Sequence, residues 1–97
     1  MCEFKIIRKN DGSQIMEDIV VVNYTDDHSL VLKDVLGMGE VLDSALILDV
    51  NTINQTLVVI EHPIIKQFLN LIKKLTDDHV NNEEIDSLIK KLNEIKT

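Results

Sequence analysis

The sequence predicts an α+β protein: a small antiparallel β-barrel or sandwich of about five strands over residues 1–61, followed by a two-helix antiparallel hairpin over residues 62–97. Three observations predict it. Up to Glu61 the chain is a series of short runs rich in Ile, Val and Leu, separated by turn residues at close intervals. From Pro63 the apolar residues recur instead at three and four. Between the runs there is no room for the crossover helices of a parallel sheet, so antiparallel pairing is expected.

Taken in order, EFKIIRK is the first strand, and alternation puts Cys2, Phe4 and Ile6 on one face and Glu3, Lys5 and Ile7 on the other. The turn signal Asn10-Asp11-Gly12 leads to QIMEDIVVVN, and Asp26-Asp27-His28-Ser29 leads to LVLKDVL. After Gly37-Met38-Gly39 come EVLDSALILDV, the polar break Asn51-Thr52 and QTLVVIE.

Pro63 suits the first position of a helix, and Ile64, Ile65, Phe68, Leu69, Ile72 and Leu75 give it an apolar stripe over about three turns. Lys73 and Lys74 sit toward its C-terminal end, where the helix dipole favours cations. After a polar break, Asn81 or Asn82 serves as N-cap, Glu83 and Glu84 fall in the first turn, and Ile85, Leu88, Ile89, Leu92 and Ile95 form a second stripe. Helices of this length are not stable alone, so the stripes must be covered. Two coverings are open: the helices pack on their own barrel, or they pair with a second copy in a four-helix homodimer.

Ordinary globular proportions, 44% hydrophobic and 28% charged residues, fit one small ordered unit of 97 residues. The net charge of −7 is unevenly placed. Residues 1–61 hold four basic against eleven acidic residues, whereas residues 62–97 hold six of each. Such a β part repels phosphates, which argues against nucleic acid as a partner. A single cysteine excludes an internal disulfide framework and fits a reducing compartment. No apolar run is long enough to span a membrane, and the N-terminus lacks the pattern of a signal peptide, so a cytoplasmic location with no membrane partner is expected.

The search for chemistry narrows to the chain's start. His28, His62 and His79 each lie in or beside a turn, and nothing in their spacing supplies Cys2 with a catalytic base; no enzyme is expected. Gly37-Met38-Gly39 lacks the further glycine and the Lys-Ser/Thr pair of a phosphate loop and reads as a turn or bulge. The pairs Glu17-Asp18, Asp26-Asp27 and Asp77-Asp78 lack the alternating spacing of a calcium loop. For Cys2 two readings stand. On the apolar face of its strand it acts as a small buried hydrophobe. Beside the terminal amine it is a ligand: the Met1 amine, the deprotonated Cys2 amide and the Cys2 sulfur close a planar chelate, and planar nitrogen and sulfur donors suit Ni(II) or Cu(II) better than zinc. Loss of Met1 leaves the Cys2 amine and sulfur as a bidentate pair.

Met1-Cys2 before an apolar strand, the Gly12 turn, Met16-Glu17-Asp18-Ile19, the run Leu30 to Gly37 and the closing strand Thr56 to Glu61 resemble the CooT family of small nickel-binding proteins. The resemblance covers residues 1–61. It implies an SH3-like barrel, a dimer, Ni(II) held through Cys2, and a role as metallochaperone or nickel-storage partner of a nickel enzyme such as carbon monoxide dehydrogenase. Two features depart from the family. Gly37-Met38-Gly39-Glu40 stands where Gly-Glu is usual, with Ser44 or Ala45 in place of the next glycine, and the helical part from Pro63 onward is additional. The alternative function is a protein-interaction module without metal that dimerises or docks through its C-terminal helices.

Overall fold

The computed structural model describes residues 3–79 and 81–96. Seven strands and two helices follow one another as β1 (Phe4–Arg8), β2 (Gln14–Ile19), β3 (Val21–Tyr24), β4 (Leu30–Lys33), β5 (Gly39–Leu42), β6 (Ala45–Asn51), β7 (Thr56–Glu61), α1 (Pro63–Thr76) and α2 (Asn82–Ile95). The mixed α+β class and the terminal helical pair agree with the sequence reading; the strand count does not. Two runs predicted as single strands each divide in two.

QIMEDIVVVN breaks because an extra residue sits in β2. Phe4 pairs with Ile19 and Ile6 with Met16, so β1 advances two residues while β2 retreats three, and Asp18 takes a positive φ of 59°. This bulge turns the chain out of one sheet, and β3 enters the other. EVLDSALILDV breaks at Asp43-Ser44, with β5 and β6 in different sheets.

One sheet has the order β2-β1-β7-β6 and the other β3-β4-β5. Among the described residues no ladder joins their edges, so the β part is a pair of sheets on a shared core rather than a closed barrel. Ile6, Ile19, Leu57, Val59 and Ala45 from the first sheet and Leu30, Leu32 and Leu42 from the second form one buried cluster. Expected all-antiparallel pairing also fails at one place: β1 and β7 run parallel, with Lys5 opposite Thr56 and Arg8 opposite Val59. The parallel pair does need a long connection, but the intervening strands supply it instead of a helix.

At the join, Glu61 ends β7 and Pro63 begins α1. Asn10 holds the end of β7 like a strand partner: its Oδ1 accepts from the Glu61 N–H and its Nδ2 donates to the Glu61 carbonyl, each at 2.9 Å. His62 caps α1, its Nδ1 accepting from the Ile64 N–H at 3.1 Å, and Asn81 caps α2 by accepting from the Glu84 N–H at 2.9 Å. Helix α1 is a full 14 residues, longer than the three turns expected. The two helices run antiparallel, with Leu71 and Leu88 buried, Lys74 donating to Glu84 at 2.6 Å and Gln67 to Ser87 at 3.2 Å.

Candidate functional site

Cys2 and Met1, the residues to which the nickel chemistry was assigned, lie outside the described residues. What the structure does define is the setting in which β1 begins. Glu3 is exposed, Phe4 packs against the core cluster and Ile6 is fully buried, so the predicted alternation holds through these positions. The Lys5 N–H donates to the Gln55 carbonyl at 2.9 Å, tying this end of β1 to the β6–β7 turn. Beside Phe4 opens an apolar cleft of about 390 Å³, lined by Phe4, Ile19, Val20, Val22, Ile47, Val50 and Leu57.

The other candidate residues do not converge. Among the described residues no three His, Cys, Asp or Glu side chains gather as they would around a metal ion. His28 occupies the β3–β4 turn with φ 67°, His62 uses its Nδ1 as the α1 cap, and the His79 N–H closes the end of α1 on the Lys74 carbonyl at 2.9 Å. The acidic pairs have local duties. Asp18 forms the β2 bulge, Asp27 accepts from the Thr25 hydroxyl, and Asp77 is the C-cap of α1.

A polar corner that the sequence did not reveal joins the β part to α1. The Ser44 hydroxyl donates to the His62 carbonyl and accepts from the Lys66 N–H at 2.9 Å. The Lys66 ammonium donates to Asp43 at 2.8 Å and to Ser29 at 3.2 Å, with Asp27 at 3.8 Å. A cavity of about 480 Å³ borders this corner. Its members come from the β3–β4 turn, the β5–β6 bend and α1, so no local pattern in the chain announces them.

Charge at this corner sets a pH dependence. The Thr25 hydroxyl, and more weakly Lys66, hold the Asp27 carboxyl below its ordinary value, while the Asp43 carboxylate raises Lys66 above its own. A lowered acid contributes stability above its unfolded value of about 3.9 and loses it as pH falls through the folded value. A raised lysine contributes below about 10.4 and loses it as pH rises through its folded value. The urea midpoint is therefore expected to fall below about pH 4, with Asp27→Asn reducing that dependence. The effect is small because both groups are solvated. Asp11, lowered mainly by the Ser13 hydroxyl, supplies a similar dependence that Asp27→Asn leaves in place. An unchanged midpoint–pH curve in Asp27→Asn would remove the assignment.

Residues 1–60 match the family of the CO dehydrogenase accessory protein CooT. This places the chain in a class of accessory proteins rather than in a family of catalysts. The chain belongs to the CooT family, and the match ends before α1, so both helices are additional to it. No curated protein matches the chain. No helix among the described residues is long and apolar enough to cross a membrane.

Proposed function

We propose that this protein binds Ni(II) through the Cys2 thiolate together with the N-terminal amine and serves a nickel enzyme such as CO dehydrogenase as metallochaperone or nickel-storage partner. The observation that carries the reading is the family match over residues 1–60, which includes Met1-Cys2 at its start. Nickel is cargo here, and the chain is not itself a catalyst. The thiolate, an unprotonated amine and, where Met1 is kept, the deprotonated Cys2 amide are the donors; each must lose a proton to bind, so the affinity falls as pH is lowered. We further read residues 1–61 as the metal-handling unit, a variant of the SH3-like barrel opened into two sheets, and residues 62–97 as an extension that supports a homodimer in the cytoplasm.

Titration with Ni(II), followed by absorption, tests the metal reading. A thiolate-to-nickel band is expected for the parent protein and none for Cys2→Ser. Equal titration of the two proteins would end the assignment. A second reading, an interaction module without metal, draws on the apolar residues left exposed along α1 and α2.

A further inference from the structure

The first turn of α1 hangs on one residue. Past Pro63, which has no N–H, the Ile64 N–H donates to His62 Nδ1 at 3.1 Å, the Ile65 N–H to the His62 carbonyl at 3.1 Å and the Lys66 N–H to Ser44 Oγ at 2.9 Å. Ser44 is itself tied to His62: its hydroxyl donates to the His62 carbonyl, and its own carbonyl accepts from the His62 N–H at 3.2 Å. His62 thus joins the β part to α1 through both its backbone and its ring. A ring nitrogen accepts an N–H only when it carries no hydrogen, so the cap requires a neutral imidazole with its proton on Nε2. Imidazole gains a second proton at about pH 6.5, and Nδ1 is then one donor facing another. The cap is lost.

We infer that His62 is an acid-released latch: protonation of its ring lets go of the first turn of α1 and loosens the seat of the helices on the β part. The ring is exposed, so protons reach it freely. Its surroundings do not hold an imidazolium in the capping position. An imidazolium there stands at the positive end of the helix dipole, and the first turn of α1 has no acidic residue to offset it. Asp43 and Glu61 lie on one side of His62, but Asp43 accepts from the Lys66 ammonium at 2.8 Å and Glu61 from Arg8 Nε at 2.5 Å. On the other side α2 brings Lys91 and Glu94, one charge of each sign. Because carboxylates titrate well below this range, the ion pair of Lys66 with Asp43 persists when the cap opens. The helix is loosened and not detached. The stabilisation from the cap is present above the imidazole range and lost as pH falls through it, apart from the acid dependence assigned to Asp27.

Amide hydrogen exchange of the full chain, followed by NMR without added metal at about pH 7.5 and about pH 5.5, tests the latch on either side of the imidazole range. Each rate is compared with that of an unstructured peptide at the same pH. Protection at Ile64 and Lys66 is expected to fall about fivefold at the lower pH, the loss of one helix cap, while protection at Val59 in the core holds. His62→Asn, a cap that does not titrate, is expected to keep protection at both pH values, and His62→Ala to lack it at both. His28 lines the cavity that Pro63 and Lys66 share, and it titrates in the same range. His28→Asn, a residue type that tolerates the φ of 67° there, is expected to behave as the parent. Equal protection of the parent at the two pH values, the same fall in His62→Asn, or a fall abolished by His28→Asn would overturn the latch. A fall confined to Ile64 would leave a titrating cap and overturn the loosened seat. Nitrogen NMR shifts of the His62 ring give a separate readout: the Nε2–H tautomer is expected at the higher pH, and an Nδ1–H ring would overturn the cap itself.

Discussion

A single methyl group added at Gly39 is expected to destabilise the protein by at least about 3 kcal/mol, whereas the same change at Gly12 costs about 1 kcal/mol. The difference follows from what surrounds each glycine. A Cβ on Gly39 meets the Leu32 carbonyl oxygen at 1.8 Å and the Lys33 Cα at 2.9 Å, both backbone atoms that cannot step aside without moving β4. Leu32 is fully buried on that strand, and β4 is the central strand of its sheet, paired to β3 as well as β5. Any shift is therefore passed to the core. Gly12 has open space around its missing Cβ, and its only demand is a φ of 73° in the β1–β2 turn, which alanine adopts at a modest cost. Urea denaturation of Gly39→Ala and Gly12→Ala measures both. Equal losses would show that the close approach at Gly39 is not what requires glycine there.

That glycine shows how far the sequence can be read. Gly37-Met38-Gly39 announces a turn or bulge, and Gly37 indeed turns the chain with φ 82° while the Asp34 carboxylate accepts from the Leu36 and Met38 N–H groups at 2.9 Å. The role of Gly39 is different in kind: it depends on a strand that passes beside it, and spacing carries no such information. The helices were the most legible part, because Pro63, Asn81, Glu83, Glu84 and the stripes are local signals. His62 as the α1 cap was not, since histidine seldom caps a helix. The β part gave its turns correctly and its strand count incorrectly. QIMEDIVVVN stays apolar through Ile19-Val20-Val21, where the chain changes sheets, so hydrophobicity marks no boundary there; in EVLDSALILDV the polar pair Asp43-Ser44 does mark the boundary, but two polar residues alone do not distinguish a bend from an irregularity within one strand. Asp18 was the available signal, a residue type that tolerates positive φ in an otherwise strand-like run. Parallel pairing of β1 with β7 was hidden for another reason: it joins segments about fifty residues apart, and only the fold as a whole brings them together. For the metal site, the sequence supplied residue types and position but no neighbours. Met1 and Cys2 also fall outside the described residues, so the chelate stands on donor chemistry and on family membership.

Extending the chain by Gly-Ser ahead of Met1 is expected to weaken Ni(II) binding by about 100-fold or more while leaving the thiol in place, because the second donor of a chelate acts at high effective concentration and its contribution is lost with its position. The extension carries the free amine two residues farther from Cys2, so the small rings that it closes with the Cys2 amide and sulfur no longer form. It alters none of the described contacts: β1 begins at Phe4, and the first hydrogen bond that anchors it, from the Lys5 N–H to Gln55, lies downstream. The urea midpoint should therefore match that of the parent, which separates a lost ligand from a damaged fold. The three proteins then form a series. The parent binds tightly through sulfur and amine, the extended chain weakly through sulfur, and Cys2→Ser shows no thiolate band. The pH profile supplies the independent readout. Lowering the pH protonates the amine, the Cys2 amide and the thiol in the parent, whereas the extended protein depends on the thiol, so the parent's affinity should fall more steeply with acid. If the extended chain binds as tightly as the parent, with the same slope, the amine is no ligand and the chelate that favours nickel is gone.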